Sequence, residues 1–131
     1  MTMEEMFKLL NCNSNDVDQE RGMERARTVN VLSFFFQPDE FMTGYNNYKD
    51  VWNNCAIILS EKSDEELEPY LVKLFDWLKD MNDPGSKVIK ERLMKYKRNS
   101  IYLIALELRL NKAKKLHDTM WENNLKELFT L

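Results

Sequence analysis

The sequence predicts an all-α protein, in which 131 residues form a single domain of five to seven helices. A chain of this length buries about two thirds of its unfolded surface without disulfides or metals. Apolar residues make up 44% and charged residues 31%, with only three glycines and three prolines, which is too few turn formers for a β-sandwich or barrel. Several segments also place apolar residues three and four positions apart, the spacing of a helix.

The first third of the chain predicts two helices. Residues 3–10 can form a short helix, and an Asn/Asp-rich connection then leads to a helix capped by Asp16 or Asp18. This second helix should run to about residue 36, since the residue before Pro38 is pushed out of the helical region. Its buried stripe comprises Met23, Ala26, Val29, Leu32 or Val31, and Phe35 or Phe36.

The next helix should begin at Asp39-Glu40 or Thr43-Gly44 and end at Ser60. Its inward-facing residues are predicted to be Tyr48, Trp52 or Val51, Cys55, Ile58 and Leu59. Ser63 and Glu66 then match the S-x-x-E capping box, but Pro69 would interrupt a helix that began there. The sequence therefore predicts one short turn from Ser63 to Leu67, with Pro69 at the first position of a new helix.

The segment PYLVKLFDWLKD, residues 69–80, has the sharpest helical periodicity in the chain. Its apolar stripe is Leu71, Leu74, Phe75 and Leu78, widened by Trp77 and Met81. After a bend at residues 82–86, a further helix is predicted to about Lys97, with its stripe formed by Val88, Ile89, Arg92, Leu93 and Tyr96. The short connection predicts that these two helices lie antiparallel.

Residues 101–110, IYLIALELRL, are apolar on nearly all sides, which predicts a central helix covered on several sides and capped by Asn99 or Ser100. A closing helix should follow, either separate or continuous with it, because no Gly or Pro lies between Ser100 and Leu131. Its stripe is predicted to be Ala113, Leu116, Met120, Trp121, Leu125, Leu128 and Phe129.

The chain offers no recognisable catalytic or cofactor motif: it has no nucleophile elbow, no P-loop and no HExxH pair. Cys12 and Cys55 are 43 positions apart without a CxxC, and His117 is the only histidine, so no zinc or thiol-disulfide site is predicted. Both cysteines are interpreted as ordinary helix residues, with Cys55 the more deeply buried. We therefore expect no enzymatic activity, no catalytic residue, no metal and no cofactor.

Nucleic-acid and membrane binding are also not expected. A basic segment at residues 87–98 is interpreted as the solvated face of a helix, since the sequence pI is about 5.3 and no groove-reading motif accompanies it. The longest apolar-rich run is about 10 residues, well short of the roughly 20 that span a bilayer. The start of the chain lacks the basic region of a signal peptide, so a cytoplasmic location is predicted.

Charge is distributed unevenly along the chain, which favours a basic partner. Residues 1–66 carry 6 basic and 13 acidic side chains (net −7), whereas residues 67–131 carry 13 basic and 9 acidic ones (net +4). Asp76 and Asp80 are like charges one turn apart near a helix end, where the dipole disfavours anions, and the bend that follows does not require them. The predicted partner contacts are Asp39, Glu40, Tyr45, Asp76, Asp80 and Asp83.

Two turns in residues 51–93 carry a family resemblance. Ser63, Glu65, Glu66, Leu67 and Pro69 match an S-x-E-E-L-x-P turn, and Trp77, Leu78, Asp80, Met81, Asn82 and Pro84 match a W-L-x-D-M-N turn followed by proline. This region resembles a family of small bacterial helical domains of uncharacterised function that is related to HEAT repeats. The resemblance implies HEAT-like antiparallel helical pairs.

Small, acidic, helical proteins of this kind also resemble immunity proteins of bacterial toxin systems, which bind and block a cognate toxin. That resemblance implies a non-catalytic binding protein with a basic toxin domain, such as a nuclease, as its partner. The alternative is a HEAT-like scaffold or adaptor with a cellular protein partner.

Overall fold

The computed structural model describes residues 48–129, with side chains from Asn53 to Phe129. Its α-helices, in chain order, are α1 (Tyr48–Ser60), α2 (Asp64–Leu67), α3 (Leu71–Asp76), α4 (Ser86–Met94), α5 (Ser100–Lys115) and α6 (Thr119–Lys126). Short 3-10 helices follow α2 at Glu68–Tyr70 and α3 at Trp77–Lys79. No strand occurs within residues 48–129, so the all-α prediction is confirmed there. The elements predicted before residue 48 lie outside the described residues.

The connection from α1 to α3 follows the capping pattern read from the sequence. The Ser63 side chain accepts a hydrogen bond from the backbone N–H of Glu66, and the Glu66 carboxylate accepts one from the backbone N–H of Ser63. Pro69 lies one turn further on, in the 3-10 helix, where its missing N–H leaves no helical hydrogen bond unmade. The predicted short turn from Ser63 to Leu67 is therefore confirmed as α2, although the following α-helix begins at Leu71 rather than at Pro69.

The bend after α3 depends on a left-handed glycine. Gly85 has φ 82°, a region that costs a residue with a Cβ about 1–2 kcal/mol, and it serves as the N-cap of α4. Helix α4 ends at Met94, three residues before the predicted end, because the N–H groups of Lys95 and Tyr96 donate to the carbonyls three residues earlier, those of Arg92 and Leu93, as in a 3-10 turn. Helix α4 packs most extensively against α1, whereas its contacts with the preceding segment are made by the 3-10 helix Trp77–Lys79.

Helices α5 and α6 are separate, although no Gly or Pro divides them. Of the two predicted caps, Asn99 and Ser100, the Asn99 side chain caps α5 by accepting from the backbone N–H of Tyr102. The Asp118 side chain caps α6 by accepting from the backbone N–H of Trp121. Between them His117 has φ 54°, a left-handed conformation that ends α5. The possibility of one continuous helix was wrong. The left-handed His117 and the capping Asp118 separate the two helices without a glycine or proline.

The core is built around three aromatic side chains on α3, α5 and α6. Phe75 meets Tyr102 edge-to-face at 5.4 Å between ring centroids, and the buried Trp121 donates its indole N–H to the Phe75 carbonyl at 3.0 Å. Burial raises the pKa of Tyr102 to about 12, and its hydroxyl donates to the Leu93 carbonyl at 3.2 Å. The predicted stripe of Leu71, Leu74, Phe75 and Leu78 is fully or almost fully buried, as are Cys55, Ile58, Leu59, Ile89, Leu93, Leu125 and Leu128.

The outer side of α5 contradicts the sequence prediction. Tyr102, Leu106 and Ala113 are buried on one side of the helix, but Ile104 and Leu108 are 58% and 61% exposed. The expectation of a central helix covered on several sides is therefore wrong for the described residues. Leu116, Met120 and Phe129, assigned to the buried stripe of the closing helix, are likewise exposed. Within residues 48–129, no helix combines the length and apolar character required to cross a membrane.

Candidate functional site

The bend between α3 and α4 is held together by its own side chains. The Asp80 carboxylate accepts a hydrogen bond from the backbone N–H of Asn82 at 2.8 Å, and the Asp83 N–H donates to the Asp80 carbonyl at 3.0 Å. Gly85 then supplies the left-handed conformation that reverses the chain. The expectation that the bend does not require these acidic residues is wrong for Asp80, whose carboxylate stabilises the turn.

A second set of bonds locks this bend onto the preceding 3-10 helix. The buried Ser86 hydroxyl donates a hydrogen bond that is shared by two backbone carbonyl oxygens. It lies 3.0 Å from the Trp77 oxygen and 2.9 Å from the Asp80 oxygen. In return, the Trp77 indole N–H donates to the Pro84 carbonyl at 3.1 Å. Both ends of the bend are therefore anchored by side chains, which makes it a preorganised surface feature.

A surface hollow of about 410 Å³ lies beside the bend. Its lining combines amide, carboxylate, ammonium and apolar groups, from Asn53, Met81, Asn82, Asp83, Gly85, Lys87 and Val88. A single glycine is present, whereas phosphate-binding loops present several converging backbone N–H groups. The lining of the hollow therefore does not match the glycine-rich pattern of a phosphate-binding loop.

The three predicted acidic contacts in the described region do not share one environment. Asp76 is partly buried on α3, with a carboxylate oxygen 3.5 Å from an Arg109 guanidinium nitrogen on α5. Burial raises the pKa of Asp76, and the positive charge of Arg109 opposes that effect. Asp80 and Asp83 lie in the bend itself, Asp83 at the hollow. The other predicted contacts, Asp39, Glu40 and Tyr45, lie outside the described residues.

Asp64 is a structural carboxylate that joins α2 to the end of α4. Its two oxygens accept hydrogen bonds from the Arg92 guanidinium and from the backbone N–H of Lys97, the latter at 3.0 Å. Arg92 also donates to the Lys62 carbonyl, and the Tyr96 hydroxyl donates to the Asp64 carbonyl. Desolvation favours a higher pKa for Asp64, but these hydrogen bonds and the Arg92 charge together hold its pKa below the ordinary value.

The basic segment at residues 87–98 also serves the fold. Lys90 forms an ion pair with Glu127, and Arg92 forms one with Asp64. Arg98 donates to the carbonyl of Leu128, near the end of the described chain. These side chains join α4 and the connection after it to distant parts of the molecule, so they are not a uniform row of phosphate contacts. That the chain does not bind nucleic acid remains a prediction.

Residues that could support catalysis are placed as ordinary parts of the fold. His117 is exposed at the end of α5, and its backbone N–H donates to the Lys114 carbonyl. Cys55 is buried, as predicted, and burial raises the pKa of its thiol, which keeps it protonated and unreactive. In the described part of the chain, no three His, Cys, Asp or Glu side chains are grouped so that they could hold a metal ion.

The feature that sequence reasoning missed is an apolar row on the solvent side of α5. Ile101, Ile104 and Leu108 are 51%, 58% and 61% exposed, and their spacing of three and four residues aligns them along one face. We call these three residues the α5 ridge. Contiguous exposed aliphatic side chains are typical of interaction surfaces, unlike single scattered ones. The signal was present in the sequence as apolar residues on all sides of the helix, but that pattern is equally consistent with burial.

One protein family model matches this chain over most of its described residues. The family model described as "Domain of unknown function (DUF5071)" matches residues 50–131, which is more than half of the chain. The chain belongs to the DUF5071 family. This agrees with the resemblance to a helical family of uncharacterised function, found over residues 51–93. Neither the curated proteins nor the solved structures contain a match to the chain.

Proposed function

We propose that this DUF5071 protein is a non-catalytic protein-binding module that acts as an immunity protein, binding and neutralising a cognate bacterial toxin. The α5 ridge is the observation that carries the proposal. Three aliphatic side chains are kept in water on a helix whose other side buries Tyr102, Leu106 and Ala113. Burying this apolar surface would stabilise the protein by about 25 cal/mol per Å². A binding surface explains why it stays exposed in the absence of a partner.

Several carboxylates are engaged within the fold, which argues against an acid–base pair among them. Asp64 is engaged by Arg92, and Asp80 by the bend. The Asp118 side chain caps α6. These carboxylates already have structural partners, so none of them forms a poised acid–base pair.

The bend between α3 and α4 is the proposed contact for a basic region of the toxin, such as a nuclease domain. Asp76, Asp80 and Asp83 are its proposed acidic contacts, together with Asp39, Glu40 and Tyr45. The hydrogen bonds of Ser86 and Trp77 hold the bend in place before binding, which reduces the entropy lost on association. The expected cytoplasmic location belongs to the same proposal.

A HEAT-like scaffold or adaptor is the second candidate, favoured by the packing of the consecutive helices α5 and α6. Helix α1 packs instead with α4, which does not follow it directly in the chain. The α5–α6 pair is compatible with the HEAT-like pairing implied by the family resemblance. A scaffold would bind a cellular protein through the same exposed surfaces, whereas an immunity protein would bind a toxin encoded beside it.

Co-expression with the neighbouring gene product tests the immunity function. A toxin encoded next to this chain should arrest growth when expressed alone, and co-expression of this chain should restore growth and yield a co-purifying complex. Growth arrest that persists although this chain is soluble and folded would contradict the proposal. Absence of a neighbouring toxin gene, together with specific co-purification of a cellular protein, would favour the scaffold.

Charge-neutral substitutions test the proposed acidic contacts. In the complex, the triple variant Asp76→Asn, Asp80→Asn, Asp83→Asn should bind the toxin at least about tenfold more weakly, because close interfacial charge pairs are lost. Asparagine keeps the oxygen with which Asp80 caps its turn, so the fold should survive. Glu91→Gln, an exposed neutralisation on α4 away from the bend, is the matched control and should leave affinity unchanged. Equal affinity for the triple variant and the control would exclude the bend as the contact.

A further inference from the structure

The α5 ridge lies in line with basic side chains at its carboxyl end. Lys112 and Lys115 follow Leu108 by four and seven residues, so they continue the same helix face, and both are exposed. Helix α5 contains one carboxylate, Glu107, against four basic residues, Arg109, Lys112, Lys114 and Lys115. Arg109 meets Asp76 on α3, and the charge of Lys112 also favours a lower pKa of that carboxyl.

The amino end of the ridge is also positive. The exposed Lys97 precedes α5, where its charge also favours a lower pKa of Asp64, and the first turn of the helix contains no acidic residue that would offset the positive end of its dipole. The ridge is therefore an apolar centre between two positive ends. Its length from Ile101 to Leu108 corresponds to about 10 Å, or two helical turns.

This charge pattern disfavours a second copy of the chain as the occupant. In an antiparallel pair of ridges, Lys112 and Lys115 of one copy would face the positive amino end of α5 in the other. In a parallel pair, lysines would face lysines. Both orientations bring like charges together, and such contacts exclude partners.

We propose that the α5 ridge docks an amphipathic helix of a partner protein, with Asp or Glu side chains at both ends of that helix's apolar face. A helix presents apolar anchors at the three- and four-residue spacing of Ile101, Ile104 and Leu108, and it satisfies its own backbone hydrogen bonds. Its acidic ends would meet Lys112 and Lys115 at one end and the positive amino end of α5 at the other. This proposal rests on the proposed protein-binding function and specifies the chemistry of the partner that binds at the α5 ridge.

A pair of designed helical peptides tests the proposal on the full chain. Each fluorescein-labelled peptide has about 18 residues, with leucines at three- and four-residue spacing; one carries glutamates at both ends of that face and the other carries lysines there. Fluorescence anisotropy should show the glutamate peptide binding at least about tenfold more tightly, with the preference weakened in about 0.5 M salt. Equal binding of both peptides, or binding of neither, would overturn the proposal.

Substitutions on the ridge and beside it locate the binding surface. The double variant Ile104→Ser, Leu108→Ser should bind the glutamate peptide at least about tenfold more weakly and should unfold at the temperature of the unchanged chain. Leu116→Ser, at an equally exposed leucine outside the ridge, should leave binding unchanged. The double variant Lys112→Glu, Lys115→Glu should shift the preference toward the lysine peptide. Lower unfolding temperatures for the ridge variant would show that the chain itself covers the ridge, which would overturn the proposal.

Two further outcomes separate this inference from its alternatives. Ridge-dependent binding to anionic phosphatidylserine vesicles that is stronger than binding to the glutamate peptide would mean that the surface recognises a membrane, and it would overturn the proposal. A toxin partner that binds the Ile104→Ser, Leu108→Ser variant as tightly as the unchanged chain would also overturn it. In that last case the immunity function would stand, since the toxin would bind elsewhere.

Discussion

At the scale of single residues, His117 shows how local geometry can be mistaken for a functional signal. It is the only histidine in the chain, which invites a catalytic interpretation, and it has φ 54°. Its N–H donates to the Lys114 carbonyl while the N–H of Asp118 donates to the Ala113 carbonyl, the two bonds of a Schellman motif. The left-handed conformation is thus explained by the end of α5.

His117→Gly should therefore stabilise the protein. Removing the Cβ relieves the cost of the left-handed conformation, and the greater entropy of glycine in the unfolded chain offsets part of that gain, leaving about 0.5–1 kcal/mol. Denaturant unfolding followed by circular dichroism measures this change. Lys114→Gly, at an exposed position inside α5, is the matched control and should destabilise by about 0.5–1 kcal/mol. Destabilisation by both substitutions would mean that the His117 side chain has an unrecognised stabilising role.

At the scale of elements, α5 separates what periodicity can predict from what it cannot. A helix was predicted over residues 101–110 with Asn99 or Ser100 as its cap, because capping and helix formation depend on neighbouring residues, and α5 has the Asn99 cap but continues to Lys115. The buried side was not predicted, since a segment that is apolar all round has no preferred face. Packing against α3 and α6 then selected the side with Tyr102, Leu106 and Ala113. The α5 ridge is the side left over by that selection.

Leu106 and Leu108 provide a matched test of this selection. They are the same residue type, two positions apart on one helix, with 0% and 61% exposure. Leu106→Ala should destabilise by about 2–5 kcal/mol through the cavity it leaves, whereas Leu108→Ala should stay within about 0.5 kcal/mol. Chemical denaturation of both variants gives the comparison. Similar losses for the two would show that the outer face of α5 is also packed.

At the scale of the whole molecule, the uneven charge distribution is partly used within the fold. Asp64 from the acidic half forms an ion pair with Arg92 from the basic half. The backbone N–H of Lys97 also donates to the Asp64 carboxylate. The network ties α2 to α4 across about 30 positions in sequence. Part of the asymmetry that favoured a basic partner is therefore explained by internal pairing.

Asp64→Asn tests the strength of this connection. Loss of the charged acceptor should destabilise the protein by about 1–2 kcal/mol at pH 7, a value reduced by partial exposure of the carboxylate. Because the folded-state pKa of Asp64 lies below its ordinary value of 3.8, this contribution is complete above that pH and is lost as pH falls through the folded-state pKa. Urea denaturation at pH 7 and pH 3 should therefore show the difference between variant and unchanged chain narrowing in acid.

Glu65→Gln is the control for that experiment, since Glu65 is an exposed carboxylate in the same first turn of α2. Its effect should stay within about 0.5 kcal/mol at pH 7. A gap between Asp64→Asn and the unchanged chain that is constant from pH 7 to pH 3 would contradict an ionic contribution. It would instead point to packing of the side chain.

The sequence by itself determined that residues 48–129 are helical and where most of the buried stripes lie, because caps, proline placement and helical periodicity act over a few neighbouring residues. It left open whether α5 and α6 are one helix or two. It also located the bend, but not the roles of the acidic residues around it. Tertiary structure alone decided that Asp64 meets Arg92 and that Asp76 meets Arg109, both more than 25 positions apart. It likewise decided which face of α5 remains in water. These outcomes depend on which helices become neighbours, and no local pattern in the chain encodes that choice.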